Sequence, residues 1–146
     1  MFKDPPKNNT WFISKKIEVR ESSLHGVGVF AIAPIDKYEI IECAPVLLFH
    51  QDTILQLESS MVKRWQTHVL HDYVFGWVDA QVAIAWGYGS LYNHSNDDPN
   101  VFYRMHLDLP GIEYIAKRNI EEGEELWIHY RHSERKIDFD IAGGMI

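Results

Sequence analysis

The chain predicts a mainly β fold built from small sheets, with one short helical insert. Three observations carry that expectation. Short apolar or alternating runs, about eight to ten of them, are bounded by glycine, proline and Asp/Asn turns. Two aromatic-rich runs, Tyr73–Val78 and Gln81–Trp86, flank the turn Asp79-Ala80 as a hairpin would. Only residues 51–70 repeat their apolar positions near the helical period.

The elements follow in order. Residues 1–16 read as a lead-in, polar and proline-broken at its start. Ile17-Glu18-Val19-Arg20 alternates like a half-buried strand, and a turn follows at residues 21–25. Gly26 to Ile32 is the next strand, opened by Gly-Val-Gly. That Gly-x-Gly has no third glycine and no following helix, so it is not a dinucleotide fingerprint. Residues 38–42 and 45–49 are expected as two strands, with Pro45 as the first residue of the second. Asp52 is the expected cap of a first helix, and Ser59 or Ser60 the cap of a second that carries Val62, Trp65, Val69 and Leu70. Strands at 101–105, 112–116 and 125–130 follow, separated by turns at Asp108-Leu109-Pro110-Gly111 and Gly123.

Composition limits the function classes. With 46% hydrophobic residues, 146 positions are enough for one domain with a real core. A net charge of −7 argues against phosphate-driven nucleic-acid binding and suits a basic polypeptide partner. The one cysteine, Cys43, allows no internal disulfide and no cysteine zinc cluster. His68 and His71 lack the spacing and the Glu of a zinc-protease helix and read as structural or surface residues. No apolar run approaches the roughly 18–20 residues of a membrane span, and the start is unlike a secretory signal. The expected setting is cytoplasmic, with the nucleus open, and no membrane partner is expected.

Between two apolar runs lies a small polar stretch, Gly87-Tyr-Gly-Ser-Leu-Tyr-Asn-His-Ser-Asn-Asp-Asp-Pro-Asn100. It has almost nothing to bury, and a turned loop this polar is usually kept for function. Asn93-His94-Ser95 followed by Pro99-Asn100, and then Gly123-Glu124-Glu125-Leu126-x-x-x-Tyr130, resemble the two signatures of SET-domain protein-lysine methyltransferases. The resemblance spans about residues 17–130, which it makes the catalytic domain, between the lead-in and a tail at 131–146. It implies the SET fold, in which the segment ending in the tyrosine passes beneath a chain crossing beside the Asn-His-Ser loop, a pseudoknot. Four departures stand out. The loop has one extra residue in Asn96-Asp97-Asp98; Asn96 replaces a common cysteine; and no cysteine-rich C-terminal segment exists. Near Glu42-Cys43-Ala44 a channel-lining tyrosine of many relatives is missing.

The resemblance also implies roles. His25, Gly26, Val27 and Gly28 would meet S-adenosylmethionine mainly through backbone atoms, and Asn93 and His94 would contact its methionine or adenine parts. Tyr130 and Tyr103 are the expected catalytic residues, and Tyr103 also lines the lysine channel with Ile128, whose size would govern how many methyl groups are added. Phe139, or Ile137 beside it, is expected to pack on the adenine and close the site; a frayed terminus is the alternative. The function implied is S-adenosylmethionine-dependent methylation of a lysine in a basic segment of a histone-like, ribosomal or nucleic-acid-binding protein. The alternative is an inactive SET module that serves as a protein-interaction domain. No metal is expected, and the oligomeric state stays open, a homodimer included.

Overall fold

The computed structural model of the chain describes residues 11–23, 26–60, 73–107 and 110–129; the expected second helix and the tail lie outside the described residues. Ten strands and one helix lie within them. The strands expected at 38–42 and 45–49 are in fact one, β4 (Ile40–His50). Its first half pairs antiparallel with β9 (Gly111–Ala116), from Ile40↔Ile115 to Pro45↔Gly111. Its second half pairs with β6 (Gln81–Ala85), from Val46↔Ala85 to His50↔Gln81. Pro45 stands where the strand changes neighbour, so its missing N–H falls at a junction and does not end the strand. With β5 (Val74–Gly76) and β8 (Val101–His106) the sheet runs β5-β6-β4-β9-β8. The two-residue strand β1 (Phe12–Ile13) pairs with β4 at Cys43 and Glu42.

The hairpin from β5 to β6 turns through Asp79 and Ala80, both at φ 57. Two successive left-handed residues give the turn a twist that matches its strands. The helix α1 (Gln51–Ser60) starts one residue before the expected cap. Asp52 lies in its first turn, where a carboxylate favours the helix dipole, and its N–H donates to His50 Nδ1 at 3.2 Å.

A second sheet runs β2 (Ile17–Glu21), β3 (Val27–Ala31), β10 (Glu125–Ile128), β7 (Asn93–His94). Alternation along these strands sends Ile17, Val29, Ala31, Leu126 and Ile128 inward, into one core with Ala83, Tyr103, Ile112 and Tyr114 of the large sheet. Their neighbours face outward, with the Arg20 guanidinium 4.6 Å from the Phe30 ring centre. The turns that flank this sheet are pinned by Ile35 and Ile120, which exchange two backbone hydrogen bonds of 2.9 Å.

The polar loop buries more than its composition suggests. Tyr92 and Asn100 are fully enclosed, and the Tyr92 ring stacks on Tyr114 at 4.5 Å between centres. Asn100 acts as a substitute strand for β10. Its Nδ2 donates to Glu125 O at 2.9 Å, its Oδ1 accepts from Trp127 N at 2.7 Å, and its own N–H donates to Trp127 O at 3.1 Å. Replacing Asn100 by Ala would strand a carbonyl and an N–H of β10 beside a newly emptied space. We expect Asn100→Ala to lower unfolding free energy by about 3 kcal/mol in urea titrations. A loss below about 1 kcal/mol would mean that water replaces the amide.

Candidate active site

Two motifs that are distant in sequence meet on the outer face of the small sheet. β10 pairs antiparallel with β3 on one side and parallel with β7 on the other, setting Trp127 beside Asn93 and Ile128 beside His94. Asn93 Nδ2 donates to Val27 O at 3.1 Å and to Glu125 Oε1 at 2.7 Å. Ser22 Oγ donates to Glu125 Oε2 at 3.0 Å, so one carboxylate joins the Ser22–Gly28 turn to the Asn93 loop. Gly28 is the residue that permits this: a Cβ there would collide with Glu125 Oε1 and stand 3.0 Å from Asn93 Nδ2. The turn itself bends at Gly26, whose φ of +50° lies in the left-handed region.

Behind the loop, a buried carboxylate holds the chain in place. Glu42 Oε2 accepts from Tyr88 N and Oε1 from Tyr92 Oη, both at 2.8 Å. Gly87, at φ +67°, leaves room for that carboxylate, which a Cβ would strike. Tyr114 Oη adds a 2.9 Å bond to Gly89 O. Burial pushes the Glu42 carboxyl up to about 7, against the opposing pull of the hydrogen bonds from Tyr92 and Tyr88. Burial, then the charge of Glu42, raises the Tyr92 phenol well above its ordinary range, so it stays a donor.

The expected site residues divide into three sets. Gly26, Val27, Gly28, Asn93 and His94 come together around the turn and β7, with Val27 exposed and Gly28 buried. His94 Nε2 lies 2.7 Å from Asn96 Oδ1, and its ring lies 5.1 Å from that of His129. Tyr103 and Ile128 belong to the core; Tyr103 meets Phe75 edge-on at 5.1 Å between centres, and Ile128 is fully buried. His25, Tyr130 and Phe139 lie outside the described residues. Cys43, beside the expected but missing channel tyrosine, is buried, and its thiol is pushed up to about 11 by burial and then by the charges of Glu113 and Glu42. It is no nucleophile at neutral pH.

The SET-domain family model matches residues 26–131, from the glycine turn to just past Tyr130. The chain belongs to the SET-domain family of protein-lysine methyltransferases. This SET domain is 34% identical over 118 residues to a Schizosaccharomyces pombe histone-lysine N-methyltransferase specific for H3 lysine-37, covering 81% of this chain and 75% of that one. It is also 34% identical to a candidate histone methyltransferase of Plasmodium falciparum whose crystal structure it matches with a TM-score of 0.62, over 85% of this chain and 100% of the other. CpSET8 from Cryptosporidium shares the fold at 23% identity and a TM-score of 0.60, over 79% of this chain and 57% of that one.

Sequence reasoning assigned no role to Ser22, Glu42, Asn100 or Glu125. Glu42 had a signal, a lone carboxylate in the apolar run Ile40 to Ala44. Glu125 and Asn100 sit inside the quoted motifs, but a motif does not say which of its members holds another in place. The Glu42 geometry predicts a pH dependence. Its folded carboxyl, near 7, binds a proton that the unfolded one, near 4.5, releases, so Glu42 contributes stability below 4.5 that is lost as pH rises to 7. The loss is on the order of 3 kcal/mol. Glu42→Gln, whose amide can still accept from Tyr88 and donate to Tyr92, should flatten this slope in denaturation measured from pH 4.5 to 8. An unchanged slope would remove Glu42 as its source.

Proposed function

We propose that this SET domain transfers a methyl group from S-adenosylmethionine to the ε-amine of a lysine in a basic protein segment. A histone-like tail is the first candidate, since the Schizosaccharomyces pombe relative is named for a histone lysine. The observation that supports this reading most is the parallel pairing of β10 with β7. It unites the Asn-His-Ser loop with the strand that leads into Tyr130.

The residues fit the cofactor on geometric grounds. A Cβ at Gly26 would meet nothing within 4 Å, so the turn is open beside Val27 and Asn93. On β10 and just past its end, Trp127 Nε1 and His129 Nδ1 are buried without a hydrogen-bond partner among the described residues. Asn93, His94 and the 26–28 turn would hold the cofactor, with His25 and Phe139 assigned to the same task. Bound there, S-adenosylmethionine supplies an electrophilic methyl group on a sulfonium.

What remains for the protein is to deliver a neutral amine in line. A lysine side chain free in water titrates at about 10.4, and apolar walls disfavour its ammonium form. Ile128 and Tyr103, both buried, are assigned to those walls. Tyr130, two positions beyond Ile128, is assigned the hydroxyl that holds the amine. The proposed setting is the cytoplasm, or the nucleus where the substrate is chromatin. The net charge of −7 supports attraction of a basic substrate.

Incubation with methyl-labelled S-adenosylmethionine and a panel of histones and ribosomal proteins tests the proposal. Label should appear on a lysine of a basic protein, and Tyr130→Phe should reduce turnover at least about 100-fold while cofactor affinity persists. Near-normal turnover of the variant would make Tyr130 structural, and absence of label from every protein tried would leave a binding module.

A further inference from the structure

Glu42 ties together parts of the chain that lie far apart in sequence. It is fully buried and stands opposite Tyr114 across the ladder of β4 and β9, beneath the loop that leads into β7. From there its carboxylate accepts from Tyr88 N and from Tyr92 Oη, each at 2.8 Å. The Tyr92 ring lies nearly parallel to that of Tyr114, at 14° and 4.5 Å between centres. Tyr114 in turn stands 6.4 Å from the ring of Tyr103, and Phe75 meets both edge-on. Tyr92 directly precedes Asn93, so one carboxyl connects the Asn-His-Ser loop to an aromatic block that includes Tyr103.

We propose that Glu42 is a positioning residue of methyl transfer: through Tyr92 and Tyr114 it keeps the Asn-His-Ser loop in register with the Tyr103 wall of the lysine channel. The inference rests on the methyltransferase reading, and it adds a residue that touches no reacting atom. Burial places the Glu42 carboxyl at about 7, against the hydrogen bonds from Tyr92 and Tyr88, which gives the role a signature in pH. The titratable side chains around it are Tyr92 and Tyr88 of the loop, Tyr114 on β9 and the adjacent Cys43. Burial holds the Tyr92 phenol well above its ordinary range and the Cys43 thiol at about 11, so neither titrates near neutrality. From β1 comes the apolar Ile13, whose Cδ1 lies beside Gly87. Protonated, Glu42 joins its neutral partners without a net charge. Ionised, it has two neutral donors and no ion pair among the described residues, so the anion gains by admitting water. The loop is the cover that gives way, and the alignment of amine and methyl group is lost with it.

The test follows kcat at saturating S-adenosylmethionine from pH 6 to 9, on whichever histone or ribosomal protein the native chain labels best. Circular dichroism at each pH shows whether the chains stay folded. Glu42→Gln keeps the hydrogen bonds of the protonated form at every pH, since its amide accepts from Tyr88 and donates to Tyr92. The ratio of native to variant kcat should lie within about 3-fold of one at pH 6 and fall at least about 10-fold by pH 9, with a midpoint near 7. Tyr92→Phe keeps the ring on Tyr114 and removes one hydrogen bond that favours the anion. The inflection in its pH profile should move above the native one. Its kcat at pH 6 should fall about 10-fold while S-adenosylhomocysteine affinity stays within about 3-fold. If either variant does not fold, the other decides against the native chain. A native-to-Gln ratio that does not change with pH, or a Tyr92→Phe chain with native kcat and an unmoved inflection, would overturn the role of Glu42. A native chain that labels no protein of the panel would overturn the methyltransferase reading itself, and this inference with it.

Discussion

Strand β10 has to find hydrogen-bond partners on both of its edges, and the site exists because of how it does so. On one edge β3 supplies an ordinary antiparallel ladder. On the other, among the described residues, a short strand takes over: the two residues of β7, the N–H of Ser95, and Asn100 through both its side chain and its own N–H. A side-chain amide has the donor and acceptor of a peptide group without its chain continuity. Asn100 can therefore complete the ladder and let the backbone turn away at once towards β8. That freedom lets a loop with its own shape lie flush against a strand.

The same loop shows how polar atoms are made tolerable in an interior. Glu42, Glu113 and Glu125 are all buried, and each is answered differently. Glu42 is met by a phenol and an amide N–H, neither of them charged, and burial keeps its proton near neutrality. Glu113 is met by the Arg104 guanidinium, with His106 Nε2 at 3.3 Å from its other oxygen. Burial alone would raise the Glu113 carboxyl, but the nearby His106 ring and the hydrogen-bonded Arg104 guanidinium hold it below its ordinary value. One carboxyl is thus poised to change charge and the other is locked as an anion, although Glu113 stands opposite Cys43, the residue next to Glu42.

Much of the architecture was legible because strands with one buried face alternate. Ile17–Glu21, Gln81–Ala85 and Val101–His106 could be read from their runs and the turn residues around them. β4 could not, because Pro45 reads as a boundary, and only the change of partner from β9 to β6 explains why it is not one. β1 and β7 are two residues each, too short to show a period. Tyr92 read only as one member of the polar loop, since the ring it stacks on, that of Tyr114, is 22 positions away. For the site, the glycine turn and Asn93 were visible as motifs. The carboxylate that joins them was not, because its partners Ser22 and Asn93 are 103 and 32 positions from it.

Those separations bear on how the chain reaches its folded state. The bond from Asn93 to Val27 spans 66 residues, and the parallel pair of β7 and β10 closes a further long loop. Contacts of such range are entropically costly to close and tend to slow folding. During synthesis the glycine turn and the Asn93 loop are both made well before β10, which has to arrive before Glu125 can join them. Any molecule that binds across the turn, the loop and β10 would grip three distant parts of the chain at once. It would then act as a ligature on the whole domain, slowing global unfolding as well as filling a pocket.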